Sequence, residues 1–102
     1  MKILLCGEPI SAQQALEFGL ISEVVPQANL IERAEQTAAQ IASLAPLATQ
    51  AIKRAALATH TMSWEDAFHF EMEQSALTTM SKDAREGHKA FKEKRTPDFK
   101  GE

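Results

Sequence analysis

The sequence contains a single cysteine, no tyrosine, four glycines and four prolines in 102 residues. One cysteine cannot form an internal disulfide or a cysteine-based zinc site, and a reducing, cytoplasmic location is the simplest expectation. The apolar stretch at the N-terminus stops at Gly7 and Glu8, which is too short for a signal peptide or a membrane span. We therefore expect no targeting segment and no membrane association.

The scarcity of glycine and the absence of tyrosine disfavour a sheet-rich domain, which needs many turns and many aromatic or β-branched residues. Alanine recurs throughout the chain and is the best helix former. We predict a mainly α fold with about five helices and at most one short strand.

The segment GEPISAQQALEFGLISEVVP, residues 7–26, predicts the first of these helices. Ser11 has the side chain of an N-cap, and Gln14 lies three residues later, as in a capping box. Gly19 is placed to end the helix in a left-handed conformation. Residues 20–25 then suggest an extended segment, a short strand at most, closed by Pro26.

Asn29 is the predicted N-cap of a second helix, and Pro46 the first residue of a third. Both helices carry a narrow stripe of small apolar residues, which allows two helices to approach closely. We predict that they form an antiparallel hairpin within residues 27–60.

Ser63 predicts the start of a fourth helix with apolar residues on two faces. One face is a ridge spaced by four residues, and Phe70 and Leu77 lie on the opposite side. The members of the ridge are Trp64, Phe68, Met72, Ala76 and Met80. Two apolar faces predict a second contact, with another domain or another subunit.

Cys6 lies in an apolar stretch and is expected to be buried.

Ser81 predicts a fifth helix that runs to about Arg95 and is stopped by Pro97. Residues 82–102 carry seven basic and five acidic side chains, whereas residues 1–81 carry four basic and nine acidic ones. This small basic surplus excludes a general nucleic-acid interface but suits one phosphorylated ligand.

Catalytic and metal-binding patterns are weak. His69 shares a helical stripe with Glu65 and Glu73, but a solvated polar face explains the stripe better than a metal site does. Helix capping accounts for the serines at positions 11, 63 and 81. We predict no catalytic residue, no metal and no cofactor in this chain.

Phe91 and Lys94 are three residues apart and would project from one helical face, with Arg95 beside them and Gly87 and His88 one turn earlier. An aromatic ring and an ammonium on one face could hold a nucleotide, with the ring on the base and the cation on a phosphate. The alternative is that Phe91 anchors the core and the lysines form a solvated face.

Three parts of the chain together resemble the C-terminal region of the enoyl-CoA hydratase/isomerase (crotonase) family. They are LLCGEPISAQQALEFGLISEVVP, residues 4–26, the alanine-rich hairpin, and the ending SKDAREGHKAFKEKRTPDFKG, residues 81–101. The resemblance covers essentially the whole chain, with Cys6 where threonine is usual. It implies a spiral of ββα units followed by helices, in trimers or hexamers. This chain then looks like a C-terminal fragment without the spiral. The implied parent reaction is hydration or isomerisation of an α,β-unsaturated acyl-CoA.

On this resemblance the chain is one helical unit with three parts. Residues 1–26 are the end of the spiral domain with the first helix, residues 27–60 are the hairpin, and residues 61–102 form the trimerisation and CoA-lid helices with the tail. The oxyanion hole and the catalytic glutamates of the family would lie upstream. Phe91 and Lys94 match residues that contact the CoA bound by a neighbouring subunit.

Two functions are compatible with this interpretation. The first is the oligomerisation and CoA-contacting region of a homo-oligomeric enzyme that binds acyl-CoA, inactive by itself. The second is a stand-alone helical module for self-association or protein interaction, derived from such an enzyme.

Overall fold

The computed structural model describes the backbone of residues 1–102 and every side chain except that of Lys2. The described backbone forms helices and no strand, which confirms the predicted mainly α fold. The helices are α1 (Lys2–Cys6), α2 (Ala12–Glu17), a 3₁₀ turn (Gln27–Asn29), α3 (Leu30–Ala42), α4 (Pro46–Ala58), α5 (Trp64–Thr79) and α6 (Lys82–Glu93). Among the described residues, none of the helices combines the length and the apolar character that a membrane span requires.

The chain divides into two compact units, Met1–Gln36 and Thr37–Glu102. Helix α3 begins in the first unit and ends in the second. This boundary differs from those of the predicted three-part division and does not test it. The three parts and the hairpin of residues 27–60 remain predictions.

Helix α2, in the first unit, is fixed at both ends by the predicted residues. The Ser11 hydroxyl accepts a hydrogen bond from the Gln14 N–H at 3.1 Å, and the Gln14 side chain accepts one from the Ser11 N–H at 2.9 Å. At the other end Gly19 has a φ of +72°. The Leu20 N–H donates to the Ala15 carbonyl at 2.9 Å, as in a Schellman motif.

Two expectations for the first unit are wrong. Asn29 is the last residue of the 3₁₀ turn that leads into α3, so it does not cap the helix. Cys6 is exposed, because α1 has only five residues and its apolar neighbours Leu4 and Leu5 are exposed as well.

In the second unit, α4 and α5 pack against each other. Pro46 is the first residue of α4, as predicted, and the Ser63 hydroxyl accepts from the Asp66 N–H at the start of α5. The buried side chains of the pair are small, namely Ala51 on α4 and Ala67 on α5. Small residues allow close approach of two helices but bury little apolar area.

Helix α6 begins at the predicted cap, where the Ser81 hydroxyl accepts from the Ala84 N–H at 3.0 Å. It ends at Glu93, two residues before the predicted end. Lys94 follows in the left-handed conformation, with φ 54° and ψ 38°. Its N–H and that of Arg95 donate back to carbonyls of the last turn, which closes the helix.

The tail that follows α6 folds back along the helix and is held by Asp83. This residue is only 3% exposed. One carboxylate oxygen accepts from the Lys100 N–H at 2.8 Å and the other from the Gly101 N–H at 2.7 Å. The Lys82 and Asp83 N–H groups in turn donate to the Glu102 main-chain oxygen. The tail thus accepts hydrogen bonds from the N–H groups at the start of α6, and Asp83 of α6 accepts hydrogen bonds from the N–H groups of the tail.

Glu86 provides a second attachment one turn further along α6. Its carboxylate accepts two hydrogen bonds from the Arg95 guanidinium, at 2.5 and 2.9 Å, and one from the Asp98 N–H at 3.0 Å. The Arg95 hydrogen bonds, followed by that from Asp98, lower the pKa of Glu86 from 4.5 to about 2. Two carboxylates of α6 therefore hold the tail in place.

We predict that Asp83→Asn lowers the free energy of unfolding by about 2 kcal/mol, because an amide can accept only one of the two tail N–H bonds while its NH₂ faces the other donor. The measurement is urea unfolding followed by circular dichroism. Asp98→Asn is the matched control, since Asp98 is exposed and pairs only with Lys100 at the surface, and we expect a change below about 0.5 kcal/mol. Equal losses in both variants would contradict the assignment.

We also predict an acid-sensitive contribution from Glu86. Because its folded pKa is depressed, the ionised side chain stabilises the fold fully above pH 4.5, and this contribution is lost as pH falls towards 2. In Glu86→Gln this part of the pH dependence should be absent and the urea midpoint at neutral pH should be lower than that of the unmodified chain. Parallel stability–pH curves for the two proteins would show that the prediction is wrong.

Candidate functional site

Phe91 and Lys94, the two residues predicted to contact CoA, are both exposed at the C-terminal end of α6. Phe91 is 86% exposed, which disfavours the alternative that it anchors the core of this chain. The residue before it, Ala90, is only 1% exposed. Consecutive residues of a helix point about 100° apart. Ala90 therefore faces the interior of the second unit while the Phe91 ring faces solvent.

The structure places Lys94 differently from the sequence prediction. The prediction assumed that Lys94 lies in the helix, three residues after Phe91 on the same face. Instead Lys94 is the left-handed residue that ends α6, although its N–H still donates to the Phe91 carbonyl at 3.3 Å. The two residues are neighbours at the end of one helix, but regular helical spacing does not fix the direction of the Lys94 side chain.

The other members of the predicted cluster have structural partners. Arg95 binds Glu86 and Glu93, and these two carboxylates raise its pKa above the ordinary arginine value. Gly87 faces the ring of Phe99, which would lie 3.6 Å from an added Cβ atom. The His88 Nδ1 lies 2.7 Å from the Ala84 carbonyl oxygen. These residues therefore have partners within the second unit, whereas Phe91 and Lys94 are exposed without a side-chain partner among the described residues.

The surface around Phe91 is basic. Lys89 and Lys92 are exposed on the same helix, and neither forms an ion pair among the described side chains. An exposed aromatic ring beside several ammonium groups can contact a base and a phosphate of one ligand.

A groove between α4 and α5 was not predicted as a site. It has a volume of about 540 Å³. Its α4 wall is mostly alanine, and its α5 wall combines one alanine, Ala67, with two aromatic rings and several polar side chains. The larger groups are Ile52, Trp64, Phe68, Glu71, Gln74 and Thr78. The alanine stripe of α4 and the ridge of α5 were the sequence signals for it, since a seam of small residues beside large ones leaves a depression.

The ridge of α5 is open to solvent along its length. Trp64 is 85% exposed, and Phe68, Met72 and Met80 are exposed too. Leu77, on the opposite face, is also exposed, whereas Phe70 is half-buried. Both apolar faces of α5 are thus present as predicted, and large apolar area on each remains in contact with water.

Among the described residues, no group of three or more histidine, cysteine or carboxylate side chains could hold a metal ion. The stripe of Glu65, His69 and Glu73 is exposed on α5. The three candidate serine nucleophiles, Ser11, Ser63 and Ser81, all cap helices, as predicted.

The whole chain matches a known protein family. The family model described as enoyl-CoA hydratase/isomerase matches residues 1–102. Among curated proteins, the chain is 43% identical to (E)-benzylidenesuccinyl-CoA hydratase of Thauera aromatica over 99% of its own length and 40% of that protein. It is 41% identical to 2,3-dehydroadipyl-CoA hydratase of Escherichia coli over 98% of its length and 39% of that protein.

Solved structures give the same result for the fold. Enoyl-CoA hydratase from Bacillus anthracis superimposes with a TM-score of 0.92 at 39% identity, over 99% of this chain and 40% of that one. The chain therefore spans about two fifths of the length of the relatives that it matches. With sequence and fold in agreement over its whole length, the chain belongs to the enoyl-CoA hydratase/isomerase family.

Proposed function

We propose that the chain is the C-terminal helical region of an enoyl-CoA hydratase/isomerase-like enzyme. The parent reaction is hydration or isomerisation of an α,β-unsaturated acyl-CoA. In the homo-oligomeric enzyme, these residues contribute the surface for assembly and a contact to CoA, without catalysing the reaction themselves.

The uncovered apolar surface is the observation that carries this proposal. The buried apolar residues are alanines, at positions 51, 67 and 90, and every described tryptophan, leucine and methionine except Leu16 and Leu47 is exposed. Large apolar side chains exposed in this number indicate faces that pack on further protein.

Phe91 and Lys94 provide the proposed CoA contact. CoA carries an adenine ring and phosphate groups, which an exposed aromatic ring and an ammonium can bind by stacking and by charge-assisted hydrogen bonds. Since neither side chain is used within the described chain, both are available to a CoA bound mainly by another subunit, as the family resemblance implies.

The proposed lack of catalysis follows from what the described residues can do. Enolate formation at an acyl-CoA needs preorganised N–H donors for the thioester oxygen and a poised acid–base pair. The buried carboxylate of Asp83 is occupied by the tail, and the Glu86 carboxylate binds Arg95. The groups that perform the chemistry would therefore come from the rest of the enzyme.

The acyl specificity of the enzyme would also come from elsewhere. The relatives named above are similarly identical to this chain, yet their names specify benzylidenesuccinyl and dehydroadipyl groups. A stretch that is shared equally by proteins with different acyl groups is suited to the common part of the substrate, which is CoA.

The open groove between α4 and α5 favours a second candidate function, a stand-alone helical module for self-association or protein interaction. Its aromatic and alanine walls could receive an apolar helix. Binding of CoA separates the two candidates, because a ligand that prefers the folded state raises its stability.

We predict that the purified 102-residue chain does not hydrate crotonyl-CoA, since the proposal assigns the oxyanion hole and the catalytic glutamates to the rest of the enzyme. The loss of absorbance of the enoyl thioester at high protein concentration measures this. A full-length enoyl-CoA hydratase serves as the positive control. Turnover that co-purifies with the chain would contradict the proposal.

We further predict that the isolated chain forms dimers or larger assemblies, because the ridge of α5 is uncovered. Phe68→Glu should shift the mass measured by light scattering towards that of the monomer, since it places a charge within the ridge. Gln40→Glu adds the same charge to an exposed polar position of α3, outside the ridge, and should leave the mass unchanged. A monomeric unmodified chain would refute the proposed assembly surface.

A further inference from the structure

The groove between α4 and α5 has the shape and the lining of a site for an aromatic side chain. Its α4 wall is mostly alanine, and Trp64 and Phe68 of α5 line the other side. Small side chains leave room for an entering group, and the two rings offer edge-to-face or offset contacts to a third ring. The groove volume of about 540 Å³ is larger than one aromatic side chain needs.

The groove carries negative charge. Among the described residues that line it, Glu71 is the charged one. The whole of α5 has four carboxylates and neither lysine nor arginine. None of the four forms an ion pair with another described side chain. An aromatic group that is accompanied by positive charge therefore complements this groove.

The end of α6 has this complementary character. The Phe91 ring is 86% exposed, and Lys89, Lys92 and Lys94 are exposed around it. The carboxylates of α6 bind either the tail or Arg95. The three lysines form no ion pair among the described side chains. The end of α6 is thus an aromatic ring among cations that the chain itself does not neutralise.

The ring and the groove belong to the same chain but do not meet within it. The residues that line the groove come from α4, its C-cap Thr59 and α5, and Phe91 is exposed to solvent. Each copy of the chain therefore carries both surfaces. A contact between two different surfaces of identical chains joins the copies head to tail, and it either closes into a ring or continues as a chain.

We infer that the groove between α4 and α5 receives the end of α6 from a second copy of the chain. The Phe91 ring enters between the alanine and aromatic walls, and the lysines around it face the carboxylate of Glu71. This inference rests on the second candidate function, self-association, and names the two surfaces that perform it. A ring held in the groove is not available to CoA, so the contact is separate from the proposed CoA contact.

The first experiment removes the aromatic anchor. Phe91→Ala should raise the protein concentration needed for assembly about thirty-fold, as expected for an aromatic anchor of an interface. Leu57→Ala removes an exposed apolar side chain of α4 that does not line the groove, and should change this concentration less than about two-fold. Light scattering over a dilution series measures both. Equal effects would show that assembly depends on apolar area in general and would overturn the inference.

The second experiment removes the charge of the groove. Glu71→Gln should weaken assembly about five-fold, because the lysines of the second copy lose their acceptor. Glu73→Gln removes the same charge from an exposed position of α5 outside the groove, and should change assembly less than about two-fold. Equal weakening by both variants would contradict the placement of the lysines.

The third experiment joins two copies that each lack one surface. Phe91→Ala keeps the groove without the ring. Ala56→Lys keeps the ring but fills the groove with a side chain of the same charge as the entering lysines, at an exposed position. Each variant alone should be largely monomeric, and an equimolar mixture should assemble. A mixture that stays monomeric where the unmodified chain assembles would overturn the inference.

Trp64 makes the same experiment specific for the groove. If the Ala56→Lys copy also carries Trp64→Phe, the tryptophan emission of the mixture comes only from the open groove. Entry of the ring should shift this emission to shorter wavelength, because the indole is 85% exposed before it is covered. Assembly without a shift would show that another surface is used.

The remaining outcomes separate this inference from the proposed self-association. If the folded, unmodified chain is monomeric at all concentrations, the proposed assembly is wrong and the inference is wrong with it. If the unmodified chain assembles and Phe91→Ala assembles equally well, only the inference fails. Circular dichroism of each variant shows that a loss of assembly is not a loss of folding.

Discussion

The second unit depends on the buried carboxylate of Asp83. A carboxylate that is removed from water must be paired or hydrogen-bonded, and here the two backbone N–H groups of Lys100 and Gly101 satisfy it. The burial of Asp83 and the position of the tail therefore require each other. Once the tail lies on α6, Arg95 reaches Glu86, and the end of the helix is directed by that bridge.

Local features of this fold could be predicted from the sequence because they are decided within a few residues. The capping serines at positions 11, 63 and 81, and the glycine at position 19, act on N–H and carbonyl groups three to five residues away. Such contacts need no knowledge of the rest of the chain. The same holds for Pro46, whose ring suits the first turn of a helix.

The features that could not be predicted depend on distant residues or on atypical ones. The contact of Asp83 with Gly101 spans 18 residues, and no short-range pattern indicates it. The predicted helix includes Lys94 because Pro97 is its stop signal in the sequence, and a lysine does not indicate a left-handed end. Cys6 was expected to be buried from its apolar neighbours, but a five-residue helix provides too little surface to cover it.

The exposed ridge of α5 has an optical consequence. Trp64 is the sole tryptophan, the chain has no tyrosine, and the indole is 85% in contact with solvent. Emission excited at the red edge of the protein absorption band therefore comes from one side chain at one end of the ridge. The emission wavelength of Trp64 reports the polarity around its side chain. The intrinsic fluorescence of the chain therefore detects a partner that covers the first turn of α5.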